Sequence, residues 1–314
     1  MKKVCVSGGQ GFIGTHVIEE LNERGYETYS FDRSFGKDNV RTYPVSPANF
    51  FIGDIRDHNS VDEVVRLSDG VINLAGLLGT AEAVDDPFPA ADTNINGGLN
   101  FLAAIRKYDK PGVQISVGNH FENNTYSITK TTIERFALMY AKEHKTRVVV
   151  VRGLNAYGPG QHHKPIRKIM PNFVTRALRG EPINIYGDGK QVMDMIWVKD
   201  LARILVNALE HADRFGGLNS VLEAGTGRQT TVNEIAAIVA STTQDLYRPY
   251  PAGKNTEFFE RTPMRPGETP GSVVLGDPDT LGIIGIHKRH FKRLEDGVKE
   301  TVEWYHDNYD WKND

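Results

Sequence analysis

Cysteine is almost absent: Cys5 stands alone among 314 residues. One thiol excludes an intrachain disulfide framework and a cysteine-based metal cluster. Its place in the apolar run Val4-Cys5-Val6 marks it as a small buried hydrophobe, not a nucleophile. Long hydrophobic runs are missing too, and none approaches the roughly 18 residues of a membrane span. The N-terminal Lys-Lys-Val-Cys-Val segment is too short in apolar residues for a signal peptide, so a cytoplasmic location is expected. No sign of charge dominates. The net charge is −3, which leaves no basic field to favour nucleic acid. The local basic group HHKPIRK (162–168) reads as a solvated loop. His162 with His163, and His287 with His290, are paired without further ligands nearby, and no metal is expected. Internal repeats and low-complexity linkers are also lacking.

What the chain does contain is a regular alternation. A hydrophobic fraction of 39% with 25% charged residues places it among ordinary globular proteins, long enough for a large core and a second, smaller domain. KKVCVSG (2–8) predicts a buried strand and THVIEELNERG (15–25) an amphipathic helix. Further strands are predicted at 27–32, 50–54, 70–76, 112–117 and 147–153, with helices over 94–107 and 126–144. Continuous apolar strands separated by helices predict a parallel α/β sheet covered on both faces. Beyond residue 160 the alternation weakens. Helices are expected at 171–179, 232–240 and 295–308, strands at 183–187 and 221–227, and a strand-turn-helix over 195–211. The predicted division is 1–160 and a discontinuous 161–314, with segments near 191–227 returning to the first domain.

The strongest local signal is GGQGFIG (8–14), between a strand and a helix. Gly8 permits the tight turn, Gly11 lets the backbone approach a pyrophosphate, and Gly14 allows close helix–strand packing. The helix N-terminus, at Phe12 and Ile13, then offers free N–H groups to the anion. Asp32 ends the second strand where an acid grips the adenosine ribose, which predicts a Rossmann-type dinucleotide site. A carboxylate there repels a 2′-phosphate, so NAD is expected over NADP, with Arg33 the contrary hint. Asp54 and Ile55 fall near the adenine. Tyr126 and Lys130 lie one helical turn apart on a common face, as an acid/base pair of a hydride-transfer enzyme would.

Taken in order, these motifs resemble the extended short-chain dehydrogenase/reductase family, in particular its nucleotide-sugar epimerases and dehydratases. The resemblance covers essentially the whole chain. GGQGFIG matches the glycine motif, GDIRD (53–57) the adenine-side motif, and NLAG (73–76) the nicotinamide-side strand end, bringing in Leu74, Ala75 and Gly76. TNINGGLN (93–100) resembles the Asn-x-x-Gly helix start, with Asn94 near the cofactor, and YSITK (126–130) the Tyr-x-x-x-Lys. RGLNAYGPGQ (152–161), GEPINIYGDGKQVMD (180–194) and RPGE (265–268) resemble the sugar-nucleotide half. The resemblance implies that Tyr126 is the general base, with Lys130 bound to the nicotinamide ribose and favouring phenolate. It implies a substrate linked to UDP, dTDP or GDP. Asn155 and Arg265 would meet the diphosphate, Glu268 the nucleotide ribose, and Asn172, Ile185 and Tyr186 neighbouring parts. It also implies a homodimer built on the helices 94–107 and 126–144.

Two departures stand out. The family places a Ser or Thr after the fifth strand; here Val117 or Gly118 occupies that point, leaving Ser116, Thr80 and Thr125 as candidate hydroxyls. Its dehydratases add an Asp-Glu pair and its decarboxylases a Glu just after that hydroxyl. This chain reads VGNH, with Glu122 the only acid nearby. Met193 stands where an arginine usually binds phosphate. The sparse site points to a 4-epimerase acting through a 4-keto sugar, with a dehydratase, a decarboxylase or a quiet binding protein as alternatives.

Overall fold

The computed structural model describes residues 1–33, 49–81, 83–163, 166, 168–249 and 258–308. Lys164, Pro165 and Arg167 of the basic group lie outside them. The first domain forms around β1 (Lys3–Ser7), β2 (Glu27–Asp32), β3 (Phe50–Ile52), β4 (Gly70–Asn73), β5 (Gly112–Val117) and β6 (Val148–Gly153). A seventh strand, Val221–Ala224, pairs with β6, and the seven run in the order Val221–Ala224, β6, β5, β4, β1, β2, β3. Every pairing is parallel. The doubly wound sheet expected from the sequence is therefore the sheet that forms.

Strand alternation sorts the core into two layers. Val4 and Val6 face one side, where α1 (Phe12–Glu23) and the helix Val198–Phe215 supply Val17, Ile18, Leu205 and Leu209. Cys5 faces the other, among Val61, Val64, Phe101, Ile105 and Ile133. Both sides of β1 are thus dry, which explains why its apolar residues run without a break. A third cluster, including Phe173, Ile183, Ile185, Trp197, Ile235 and Tyr305, makes the core of the smaller lobe.

Several elements differ in extent from expectation. β3 ends at Ile52, so Asp54 and Ile55 sit in the following turn. An unforeseen helix, α2 (His58–Leu67), follows, capped by the Asp57 carboxylate on the amides of Asn59 and Ser60. The helix expected at Asn94 starts earlier, at Phe88, and passes through a wide turn over Asp92–Asn96 into Gly97–Lys107. The helix expected at Pro171 spans Ile169–Leu178.

One topological point positions the site. β1 has β2 on one side and β4 on the other, so the chain reverses its direction of winding between them. A crevice opens at the carboxyl ends of the strands at such a reversal. The turns that leave β1, β4 and β5 all meet there.

Candidate active site

A cavity of about 550 Å³ fills this crevice and continues to the smaller lobe. Its first wall is the turn after β1. Gly8 adopts φ +69°, a conformation open to glycine, and its carbonyl accepts the Gly11 amide at 3.0 Å. A Cβ on Gly14 would overlap the Gly8 carbonyl, so the first turn of α1 can lie on the strand end only with glycine there. No side chain caps that turn, and Phe12 and Ile13 line the cavity. Their N–H groups and the helix dipole are available to an anion.

Asp32 opens on the same space from the end of β2, accepting the amides of Arg33 at 2.8 Å and Gln10 at 3.2 Å. Burial holds its carboxyl above the ordinary range, and the two amides oppose that shift. The exposed Arg33 is beside it. Asp32→Ser is expected to weaken NAD binding about tenfold or more, the worth of hydrogen bonds to a charged group. NADP should lose much less, because the repelling carboxylate has gone. Dissociation constants for both, measured by titration, check this; an unchanged ratio would remove Asp32 from the ribose site.

Asp54 also lines the cavity, but Arg56 engages both its oxygens, at 3.0 and 2.7 Å, and holds its carboxyl below the usual range. Ile55 is beside it, almost fully buried. Leu74, Ala75 and Gly76 form the wall after β4, where the Ala75 amide donates to Ser7 Oγ at 3.2 Å.

Tyr126 and Lys130 enter from the helix Thr125–His144, whose N-cap, Asn124, accepts the Ser127 amide at 2.9 Å. Lys130 is only 3% exposed, and burial lowers its pKa from 10.5 to about 8. Among the described residues no protein group accepts a hydrogen bond from its ammonium. Burial pushes the Tyr126 hydroxyl above its usual pKa although the ring is partly open to the cavity. A buried cation without an acceptor, beside a tyrosine and an uncapped helix, fits a ligand that brings hydroxyls and phosphates.

The smaller lobe supplies the far wall, including Asn155, Asn172, Tyr186, Arg265 and Glu268. Arg265 lies 5.0 Å from the Tyr186 ring centroid and forms an ion pair with Glu268. Met193 lines the cavity without a charge, in the short strand Val192–Met193.

The sequence matches the NAD dependent epimerase/dehydratase family over residues 4–221. The chain belongs to that family. A UDP-N-acetyl-alpha-D-glucosaminuronate decarboxylase of Bacillus cytotoxicus is 28% identical over 97% of this chain and 98% of its own. The crystal structure of a UDP-glucose 4-epimerase from Thermotoga maritima with UDP-glucose is 28% identical, with a TM-score of 0.80, over 97% of this chain and 99% of its own. A dTDP-glucose 4,6-dehydratase of Xanthomonas campestris is 27% identical over 98% of this chain and 93% of its own. The family thus spans three outcomes on nucleotide sugars, and NAD is its cofactor. The glycine turn, the uncapped α1 and Lys130 suit that cofactor.

For a member of this family, two expected contacts fall outside the cavity. Asn94 is 2% exposed and wholly engaged: it accepts the Leu77 amide at 2.7 Å and donates to the Leu77 carbonyl and to Thr129 Oγ1. It ties the loop after β4 to the tyrosine helix, and Thr93 lines the cavity instead. Ile185 points into the core of the smaller lobe, because alternation along Ile183–Tyr186 turns Asn184 and Tyr186 to the cavity.

Of the candidate hydroxyls, Ser116 and Thr80 both line the cavity. β5 keeps its register to the end, with Val117 opposite Gly153, so Ser116 stays within the strand and donates to the Lys130 carbonyl at 3.3 Å. A Cβ at Gly118 would meet the end of the Leu154 side chain, which would have to turn aside. Thr125 donates to the Ala83 carbonyl at 2.7 Å and does not line the cavity, whereas Thr80 does. Lys168, the last of the basic group, also lines it and lies 6.0 Å from the Tyr126 ring centroid. Its place just before a helix was the available signal.

Proposed function

We propose that the protein is an NAD-dependent nucleotide-sugar 4-epimerase that works through a transient 4-keto sugar. The observation that carries this reading is the surroundings of Tyr126. Val117 to His120 bring no carboxylate to the cavity, and the one acid of that loop, Glu122, accepts the Thr269 hydroxyl at 2.5 Å. Eliminating water across C5 and C6 needs an acid and a base besides the tyrosine. Epimerisation needs one proton to leave and return at one oxygen. Tyr126 takes that proton from the 4-hydroxyl, and the Lys130 charge favours its phenolate. NAD held by the Gly8–Gly14 turn, Asp32 and Lys130 would supply the hydride acceptor and donor for C4. Asn155 and Arg265 hold the diphosphate, with Lys168 adding a cation where Met193 has none. Asn172 supports them, Glu268 reads the nucleotide ribose, Tyr186 packs by the base, and Thr80 meets the sugar.

A decarboxylase is the second reading. It is favoured by the likeness to the Bacillus protein and by Glu122, a buried carboxylate lining the cavity four residues before Tyr126. Proton NMR in D₂O with NAD and UDP-, dTDP- and GDP-linked hexoses and uronates separates the two. A C4 epimer free of solvent deuterium is the expected product. A pentose from a uronate, or a deuterated 4-keto-6-deoxy sugar, would replace the epimerase assignment.

The proposal includes a homodimer. Ile128 and Met139 stand exposed on Thr125–His144, whereas Phe136, Leu138 and Tyr140 pack on the core. A second copy laid on this helix and on Gly97–Lys107 would cover the exposed pair.

A further inference from the structure

The segment Arg265 to Thr269 carries two candidate ligands for the nucleotide end of a substrate, yet it is fastened to the catalytic end. Thr269 Oγ1 donates to Glu122 Oε2 at 2.5 Å, and Asn124 Nδ2 donates to the Gly267 carbonyl at 3.3 Å. Glu122 and Asn124 are 9% and 3% exposed, whereas Gly267 and Thr269 are exposed, so each bond is shielded from water on its Glu122 or Asn124 side. Asn124 does a second thing. Its Oδ1 accepts the Ser127 amide and so caps the helix turn that bears Tyr126. Gly267 lies directly against Thr80 as well as Asn124.

We propose that Glu122 and Asn124 are positioning residues that couple occupancy of the Arg265–Thr269 segment by a nucleoside diphosphate to the placement of Tyr126. This rests on the reading of Tyr126 and Arg265 as two ends of one substrate site. A diphosphate drawn to Arg265 competes with Glu268, which pairs with that guanidinium. The rearrangement passes along the segment, two residues to Gly267 and four to Thr269. Two part-buried hydrogen bonds then carry it to Glu122 and to Asn124, the helix cap. No chain of titrating groups is needed, only a cap whose two ends answer to different lobes.

The coupling is reciprocal, so the phenol of Tyr126 reports it. The test titrates phenolate absorbance in the NAD-bound protein, with Tyr126→Phe as the baseline, in the absence and presence of saturating UDP, dTDP or GDP. In the wild type the diphosphate that binds shifts the apparent pKa of Tyr126 by about one unit, a tenfold coupling of the usual size for linked sites. Thr269→Val removes the hydroxyl and keeps Arg265 and Glu268. It should lose at least half of that shift and lower kcat about tenfold, as misplacement of a catalytic group does, with KM nearly unchanged. Thr269→Ser should restore both, and Glu122→Gln should behave as an intermediate case. The diphosphate's own charge acts equally in wild type and Thr269→Val, so the difference between them isolates the latch. An equal shift in Thr269→Val would overturn the coupling and leave the site reading standing. A wild type that binds none of the three diphosphates would overturn both.

Discussion

Replacing Tyr126 with phenylalanine lowers turnover of the nucleotide sugar by at least about 100-fold, the typical worth of a positioned acid/base, and leaves NAD bound. The substitution removes one oxygen and keeps the ring, so the packing of Thr125–His144 on the sheet is retained. What it deletes is the group whose proton affinity the site must control. In the cofactor-free protein, burial raises the Tyr126 pKa, which disfavours phenolate at neutral pH. In the proposed mechanism the compensating charge is that of Lys130, one turn along the same helix face and buried beside the loop after β4. A phenol alone is a poor base at pH 7, and a phenol facing an ammonium in low dielectric is a much better one. Single-turnover and steady-state rates by NMR check the prediction, with NAD content measured in the same samples. A fall of less than about threefold would take Tyr126 out of the chemistry.

The cofactor half of this site was legible because its physics is local. A glycine turn, a helix start and an acid at the next strand end lie within the first 32 residues, and each constrains the backbone directly. Tyr126 and Lys130 were legible because helical spacing alone sets them side by side. α2 carried a signal that was passed over. Asp57 precedes Val61, Val64 and Val65, a cap followed by one apolar face, but the segment was read only for its adenine-side motif. Asn94 stands behind Gly76 and Leu77 rather than in the cavity wall itself, for a different reason. The wide turn over Asp92–Asn96 rotates that part of the helix, and no residue spacing announces such a turn. Ile185 and Tyr186 illustrate the ambiguity of a strand, where period two divides the residues but only the packing says which set is inside. The bond from Thr269 to Glu122 spans 147 positions and has no local signature at all. The contact of Gly118 with Leu154 belongs to the same class, because it depends on where Leu154 lies after β6 ends.

Lys130→Met should make the cofactor-free protein more stable while abolishing useful NAD binding. The sign follows from linkage. Lysine in the unfolded chain titrates near 10.5, and in the folded protein Lys130 titrates at about 8. Below about pH 8 the group is charged in both states, and the native state carries the cost of an ammonium buried at 3% exposure without an acceptor among the described residues. Between about pH 8 and 10.5 the unfolded chain holds a proton that the folded chain has released, so wild-type stability rises with pH across that window. A gap of that size corresponds to about 3 kcal/mol at neutral pH. Methionine fills a similar volume without the charge, so the variant should gain stability of that order and lose the pH dependence. Saturating NAD reverses the ranking, because ligand binding stabilises only the protein that binds it. Denaturant unfolding at pH 7 and pH 9.5, each with and without NAD, therefore yields four comparisons. A variant less stable than wild type at pH 7 without cofactor would mean that the fold already satisfies the ammonium, and Lys130 would then be a structural lysine. The expected crossing instead marks it as a group held at a cost to the fold until a ligand supplies its hydrogen-bond acceptors.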